Sequence, residues 1–396
     1  MKYDICVIGG FGHVGLPLSI AFADKGLNVC AFDISREKYD VISSGRMPFL
    51  EYGAEEVLGR VLADGKLTLS LSPDAISNAD ALIVVIGTPV DRHLNPEFEE
   101  LRKVIDTYLP YFRDGQILIL RSTVYPGTTE KVYHLLREKG RSMEVSFCPE
   151  RIAEGYAMKE LLELPQIVSS FTDEGTRKAS ELFRLLAPEI ILLRPIEAEL
   201  AKLFTNTWRY IKFSVANQFF MIANDCDADF YRIHEALTHH YPRAEDVPLP
   251  GFSAGPCLFK DTVQLSAFNN HTFYLGHAPL LINEGLPYYV VSRLKRKYDL
   301  KTKVIGILGM AFKANVDDGR DSLSYKLKKI LEFESKAVFC SDVYIKDPAF
   351  IGADDLVGRS DIVILACPHK EYRSLSIPPG KPVIDVWNIY GKGSCL

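Results

Sequence analysis

The sequence predicts an α/β protein: two Rossmann-like, doubly wound parallel-sheet domains joined by a central helical domain with a long spine helix. Three observations predict it. Short apolar runs alternate with longer amphipathic ones from the first residues on, the pattern of strands and crossover helices. The alternation gives way at Glu197 to a stretch through Asn224 that contains neither Gly nor Pro. It resumes near Thr302. These changes divide the chain into residues 1–196, 197–298 and 299–396.

The elements follow in order. Strands are expected at Ile5–Ile8, Val29–Phe32, Leu82–Ile86, Ile117–Leu120, Glu144–Phe147, Ile167–Ser169 and Ile190–Leu193, with helices such as Leu16–Lys25 and Leu101–Tyr108 between them. In the stretch Glu197–Asn224, Leu200, Leu203, Phe204, Trp208, Ile211, Val215, Phe219 and Ile222 recur at helical spacing. Such a helix is roughly 40 Å long at 1.5 Å per residue. Further helical sequence follows at Phe230–Leu237, Thr262–Phe268 and Leu280–Lys297. The last part reads as strand Lys303–Leu308, helix Leu323–Glu332 and strands Ala337–Phe339, Asp361–Ala366 and Pro382–Val386. It echoes the first: Tyr3–Gly9 parallels Lys303–Gly309, and Asn78–Pro89 parallels Gly358–Pro368.

Lys plus Arg number 46 and Asp plus Glu 51, a formal charge of −5, which argues against bulk electrostatic binding to nucleic acid. With 47% hydrophobic and 24% charged residues the balance is globular, and no apolar run is long enough to span a bilayer. The Met-Lys-Tyr-Asp opening enters a strand at once, which reads as lacking a signal peptide. Eight cysteines without CxxC spacing, several inside apolar runs (Cys6, Cys30, Cys340, Cys367), fit a reduced, cytoplasmic protein. His239-His240 has no metal-ligand spacing, and no metal is expected.

Gly10-Phe11-Gly12-His13-Val14-Gly15 follows a strand and opens a helix, with Asp33 at the end of the next strand. That context reads as a dinucleotide site. Glycines let the backbone approach a pyrophosphate, and the helix N-terminus supplies donors. The Asp33 carboxylate would accept from ribose hydroxyls and repel a 2′-phosphate, which favours NAD over NADP. Arg36, close by, could weaken that preference. Gly306-Ile307-Leu308-Gly309 lacks the third glycine and reads as packing, or as a site for another nucleotide-like ligand.

Cys257 stands apart from the other cysteines, because Pro250–Asp261 (PGFSAGPCLFKD) is a Gly/Pro loop. Lys260 and Asp261 follow it closely, a cation to lower the thiol pKa and an acid to hold a water. The residues by themselves suggest a cysteine nucleophile beside a hydride acceptor.

With GGFGHVGLP at Gly9–Pro17, GTP at Gly87–Pro89, STVYPGTT at Ser122–Thr129, PERIAEG at Pro149–Gly155, AELAKLFTN at Ala198–Asn206 and LGMAFK at Leu308–Lys313, the chain resembles the nucleotide-sugar 6-dehydrogenases. This family oxidises a UDP-sugar C6 alcohol to a carboxylate with two NAD⁺. The resemblance implies capture of the aldehyde by Cys257 as a thiohemiacetal, oxidation to a thioester, and hydrolysis. It implies that Lys202 and Asn206 stabilise the oxyanion, that Asp261 polarises the water, that Glu150 does acid/base work and that Thr123 positions water and substrate. Thr88 and Thr123 would also touch the cofactor. Arg151, Glu154, Phe252, Gly255, Lys260, Phe312, Lys313 and Arg320 would hold substrate, together with Arg243 reaching across a homodimer formed through the central helix. Lys202 and Asn206 could instead begin a solvated stripe that Arg209 continues.

Two departures bear on the substrate. Asp385-Val386-Trp387-Asn388 has Trp where many members carry a substrate-binding arginine, and Pro149-Glu150-Arg151 resembles members acting on N-acetylated sugars. A UDP-N-acetylhexosamine such as UDP-N-acetylmannosamine is therefore expected, with UDP-glucose as the alternative. A two-electron hydroxyacid dehydrogenase and a non-catalytic nucleotide-sugar-binding protein are the remaining readings.

Overall fold

In the computed structural model, residues 2–87, 98–253, 255, 257–270 and 272–392 are described. The chain forms two compact units, Met1–Thr205 and Asn206–Leu396.

The first unit carries an eight-stranded sheet of β1 (Tyr3–Ile8), β2 (Val29–Phe32), β3 (Leu67–Ser70), β4 (Ala79–Val84), β5 (Ile117–Leu120), β6 (Glu144–Phe147), β7 (Gln166–Ser170) and β8 (Ile190–Leu193). Their order is β3-β2-β1-β4-β5-β6-β7-β8. The direction of winding reverses between β1 and β4, the place where open α/β sheets bind ligands beyond their carboxyl edge. Alternate residues feed two cores, one on each face. Ile5, Val7, Ile83, Ile117 and Ile119 face one, and Cys6, Ile8, Leu82, Val84, Leu118 and Leu120 the other. Burial on both faces explains why these strands read as unbroken apolar runs.

One pairing departs from the parallel expectation. β7 runs antiparallel to β6, with Ser146 opposite Ser170 and Phe147 opposite Ser169. The intervening chain forms the PERIAEG loop and a helix, Ala157–Glu163, of only seven residues. At about 1.5 Å per residue that helix is too short to carry the chain back across the sheet. β7 therefore starts at the edge where β6 ended. β3 was not among the expected strands, because its outer positions are half-buried and it lies at the sheet margin.

The second unit holds a four-stranded parallel sheet, order β10-β9-β11-β12, of β9 (Val304–Leu308), β10 (Ala337–Ser341), β11 (Ile362–Leu365) and β12 (Val383–Asp385). One face, through Ile305, Ile307, Ile362, Ile364 and Ile384, packs in a single core with Phe220, Phe230, Leu286, Val290 and Leu294 of the helices that precede it. Those helices are the later turns of Pro195–Asp225, then Phe230–Thr238, Leu258–Phe268 and Tyr274–Lys297. The expected spine is thus a 31-residue helix that passes through the boundary between the units. Gly306 is a packing glycine, since a Cβ there would lie 2.3 Å from Leu356 Cδ2. Among the described residues no helix is long and apolar enough to cross a membrane.

Candidate active site

Local sequence shapes the glycine turn. Gly9 leaves β1 at φ +84, and a Cβ there would lie 1.9 Å from the Val85 carbonyl oxygen. Gly15, the first residue of helix Gly15–Asp24, would bring a Cβ within 2.3 Å of the Gly9 oxygen. Only hydrogen fits at either place. No side-chain hydrogen bond caps this helix and no acid sits in its first turn, so the positive end of its dipole is not neutralised there. Asp33 Oδ2 accepts from Phe11 N–H at 3.1 Å and Oδ1 from Ser35 N–H at 3.1 Å, which aims the carboxylate at the turn. Gly10, Gly12, Val14 and the Phe11 backbone line the turn. The Phe11 ring itself is buried in the core, while His13 stacks on Phe49 with centroids 4.0 Å apart. Arg36 pairs with Asp40 at 3.0 Å on the exposed side of its own helix and leans on Tyr39. Thr88 lies outside the described residues.

Three further loops leave the same carboxyl edge. Ser122 Oγ accepts from Ile86 N–H at 2.9 Å and donates to its carbonyl at 2.6 Å, which joins the ends of β4 and β5 beside Thr123. The turn after Thr123 is anchored by Glu199 of the long helix, a residue the sequence reading did not single out. Glu199 accepts from Gly127 N–H at 2.6 Å and from Thr129 N–H and Oγ1 at 2.8 and 2.5 Å. Burial pushes its carboxyl above its ordinary value, against those hydrogen bonds.

Beyond β6, Glu150 is ion-paired to Arg121 and accepts from Arg151 and Ile152 N–H at 2.7 and 2.9 Å. Arg121 is fully buried. It donates to the Cys148 carbonyl and Gln166 Oε1 at 3.1 and 3.0 Å and stacks on Phe183. The hint in the sequence was a lone arginine directly after the all-apolar β5. The Arg151 side chain donates to the Pro165 carbonyl, and burial lowers its pKa. Glu154, in the same loop, is half-buried. Buried Glu51 holds that loop through Gly155 and Met158 N–H at 3.1 and 3.3 Å.

On the long helix, Lys202 and Asn206 are buried and Arg209 is exposed, so the solvated-stripe reading of this face does not hold. Within the second unit Asn206 Nδ2 donates to Asp261 Oδ2 at 2.6 Å. Asp261 is fully buried, and its Oδ1 has no hydrogen-bond partner; Lys260 Nζ lies 3.8 Å from it. A buried carboxylate oxygen with an open lone pair is a water-binding position. Cys257 is the exposed N-cap of helix Leu258–Phe268, one turn before Asp261. The field of that helix favours negative charge on the sulfur.

The cysteine loop is fixed at its root and near its tip. Asn217, buried, accepts from Gly251 N–H at 2.8 Å, donates to its carbonyl at 3.1 Å and donates to buried Asn283 at 2.9 Å. Phe252, next along, is buried. Gly255 has φ +114, and a Cβ there would lie 2.6 Å from Phe312 Cδ2. The expected substrate residues Phe252, Gly255, Phe312 and Lys313 thus belong to two loops of one unit, with the Gly255 backbone against the Phe312 ring, and Lys260 lies on the first turn of the helix that follows Cys257.

Two other expected residues are engaged locally. Arg320 folds onto Asp318, with Nη2 2.5 Å from Oδ2. Arg243 lies over the Tyr241 ring on the surface. Trp387, in the place of the expected arginine, packs its ring against Gly251 and donates from Nε1 to the Ala366 carbonyl at 3.0 Å.

Comparison with known proteins follows this division. Residues 3–187 match the NAD binding domain, 196–282 the central domain and 306–392 the UDP binding domain of the UDP-glucose/GDP-mannose dehydrogenase family. The chain belongs to that family. Among relatives, a UDP-N-acetyl-D-mannosamine dehydrogenase of Pyrococcus horikoshii is 29% identical over 93% of this chain and 90% of its own length. A solved structure of the UDP-D-ManNAc dehydrogenase from the same organism matches with TM-score 0.89 at 27% identity, covering 98% of this chain and 99% of that one. A UDP-glucose dehydrogenase structure from Pyrobaculum islandicum matches with TM-score 0.88 at 26% identity over 97% and 94% of the two chains.

As a member of the UDP-glucose/GDP-mannose dehydrogenase family, the protein is an NAD-dependent oxidoreductase acting on nucleotide sugars. The first unit fits the cofactor. Gly9 and Gly15 let the turn close tightly onto the start of an uncapped helix, and Asp33 is tied to that turn through Phe11 N–H. When bound, NAD⁺ supplies the hydride acceptor.

Proposed function

We propose that the protein oxidises the C6 alcohol of a UDP-sugar to the carboxylate, reducing two NAD⁺, with Cys257 as covalent nucleophile. The first oxidation removes a hydride from C6 and a proton from its hydroxyl, and leaves an aldehyde. The Cys257 sulfur adds to the aldehyde carbon to give a thiohemiacetal, whose oxyanion Lys202 and Asn206 stabilise. Loss of a second hydride from that carbon gives a thioester. Water held at Asp261 then adds to the acyl carbon, the C–S bond breaks, and the thiol and the acid are released. We assign proton transfer to Glu150, through its loop beyond β6, and water and substrate positioning to Thr123. We assign the nucleotide sugar to Phe252, Gly255, Lys260, Phe312 and Lys313, with Arg151, Glu154 and Arg320 as further contacts and Arg243 supplied across a dimer.

The observation that carries this reading is the pairing of an exposed cysteine at a helix N-terminus with a buried aspartate one turn later, one of whose oxygens has no hydrogen-bond partner. A two-electron dehydrogenase has no use for it. The substrate we assign is a UDP-N-acetylhexosamine, UDP-N-acetylmannosamine first, on the strength of Pro149-Glu150-Arg151 and of the relatives' names. Buried, unpaired thiols favour a reducing, cytoplasmic setting.

The test is a panel of UDP-sugars with NAD⁺, counting NADH per sugar consumed. Two per sugar is expected, with UDP-N-acetylmannosamine the fastest. A ratio of one overturns the covalent route. A tenfold preference for UDP-glucose, about 1.4 kcal/mol, overturns the choice of substrate alone.

A further inference from the structure

The second sheet repeats the first at the level of single hydrogen bonds. Gly9 turns the chain out of β1 at φ +84, and Gly309 turns it out of β9 at φ +90. A Cβ on Gly9 would strike the Val85 carbonyl beyond β4, and one on Gly309 the Cys367 backbone beyond β11. Asp33, after β2, accepts from Phe11 N–H. Asp342, after β10, accepts from Met310 N–H at 2.6 Å and Ala311 N–H at 3.0 Å. In each the second oxygen takes the N–H two residues on, Ser35 or Tyr344. Asp342 is therefore the counterpart of the acid that, in the first unit, is placed for ribose.

There the two halves part. Asp33 is half-exposed, whereas the Asp342 side chain has no exposed surface and its Oδ2 takes a third donor, His369 Nε2 at 3.1 Å. His369 is buried too, and its Nδ1 accepts from Asn315 N–H at 2.9 Å. These partners place the proton of the neutral ring on Nε2, toward Asp342. Burial pushes the Asp342 carboxyl up, but His369 and the backbone donors outweigh it and hold it below its ordinary value. One buried pair thus ties down both ends of a six-residue loop: Met310 and Ala311 on the aspartate, Asn315 on the histidine. Between them lie Phe312, packed against Gly255 of the cysteine loop, and Lys313.

We propose that His369 is a positioning residue for nucleotide-sugar binding: it fills the place at Asp342 that a ribose hydroxyl would take at Asp33, closes this half to a dinucleotide, and locks the Met310–Asn315 loop so that Phe312 and Lys313 are presented in one conformation. The inference rests on the assignment of Lys313 to the nucleotide sugar. A ring with one donor and one acceptor edge spans the carboxylate and the loop amide. Its removal leaves the buried Asp342 oxygen one donor short, takes the imidazole acceptor from the Asn315 amide, and frees the loop.

The experiment is calorimetric titration of UDP and of NAD⁺ into the full chain: wild type, His369→Ala, His369→Gln, Lys313→Ala and the Ala/Ala double variant. His369→Ala is expected to weaken UDP at least about tenfold with NAD⁺ affinity held within about twofold. Gln, which keeps an amide donor and a carbonyl acceptor, is expected to restore most of the loss. In the Lys313→Ala background the histidine change is expected to cost under about threefold, because both act through one loop. NAD⁺ is expected to titrate at one per chain. Unchanged UDP affinity in His369→Ala, equal losses in both backgrounds, a parallel loss of NAD⁺ affinity, or two NAD⁺ per chain would each overturn the proposal. If the alanine variant does not fold, Gln against Met makes the same comparison. A wild type that binds NAD⁺ but no UDP would instead overturn the nucleotide-sugar reading beneath it.

Discussion

Asp261 is held by Asn206 through one oxygen while the other has no hydrogen-bond partner, so its two halves have separable consequences. In Asp261→Asn the shape is retained and the acceptor charge is lost. Thioester hydrolysis, the one step that needs activated water, is expected to slow about 10²–10⁴-fold. The first two oxidations then outrun it, and mass spectrometry of the intact protein after mixing should find a chain heavier by the bound acyl group. No added mass would assign the water to another residue. Cys257→Ala removes the site of that adduct, and kcat is expected to fall at least about 100-fold, measured as NADH formation. Glu199 makes a different prediction. Its folded-state pKa lies above 4.5, so between that value and the raised one the folded chain binds more protons than the unfolded. Its contribution to stability is complete below about pH 4.5 and falls as pH rises through the folded value. Glu199→Gln cannot accept from Gly127 and Thr129 together, and is expected to cost about 1–3 kcal/mol in denaturant titrations. The deficit relative to wild type should be larger near pH 4.5 than at neutral pH. A deficit independent of pH would show that the carboxyl does not titrate in that window.

At the scale of elements, the loop that carries Cys257 depends on two contacts made by glycine. Gly255 sits at φ +114 with the Phe312 ring where a methyl would go, so Gly255→Ala meets both backbone strain and a clash. About 1–3 kcal/mol of strain is expected to appear in the loop as a higher KM for the nucleotide sugar at nearly unchanged KM for NAD⁺. Equal changes in both constants would point to global unfolding. The elements themselves were largely legible, because strands buried on both faces announce themselves as apolar runs. Val29–Phe32, Ile117–Leu120, Glu144–Phe147 and Ile190–Leu193 begin and end where the sequence places them. β3 is absent from the sequence reading, and the strand at Ile167–Ser169 is there without its antiparallel direction, since edge position and strand direction leave little trace in local periodicity. The same holds for the site. The glycine turn and the cysteine loop are local and could be read directly. Glu199, Asn217 and His369 act on partners 70, 34 and 54 positions away, and nothing in their own neighbourhoods singles them out.

For the whole molecule, the long helix leaves an apolar stripe that folding of one chain does not cover. Phe204, Trp208, Val215, Phe219 and Ile222 are all exposed, Trp208 by 56% and Ile222 by 52%. At about 100° per residue they fall within one narrow face along roughly 27 Å of helix. Scattered exposed apolar residues need no explanation, but a continuous stripe of aromatic and branched side chains marks an interaction surface. Two polar residues of the same helix, Lys202 and Asn206, are buried instead. A second copy is the occupant we propose, since an identical stripe is its own complement across a two-fold axis. Light scattering after gel filtration should therefore give twice the chain mass of 44.5 kDa for the wild type. The double variant Trp208→Glu/Phe219→Glu places charges on the stripe without touching the buried face, and is expected to give a single-chain mass. If Arg243 contributes across that interface, the same variant should raise KM for the nucleotide sugar while NAD⁺ affinity stays unchanged, and Arg243→Ala should have no further effect in it. A wild type that runs as one chain, or a charged variant that still pairs, would remove the dimer and leave Arg243 as the surface residue its stacking on Tyr241 makes it in the single chain.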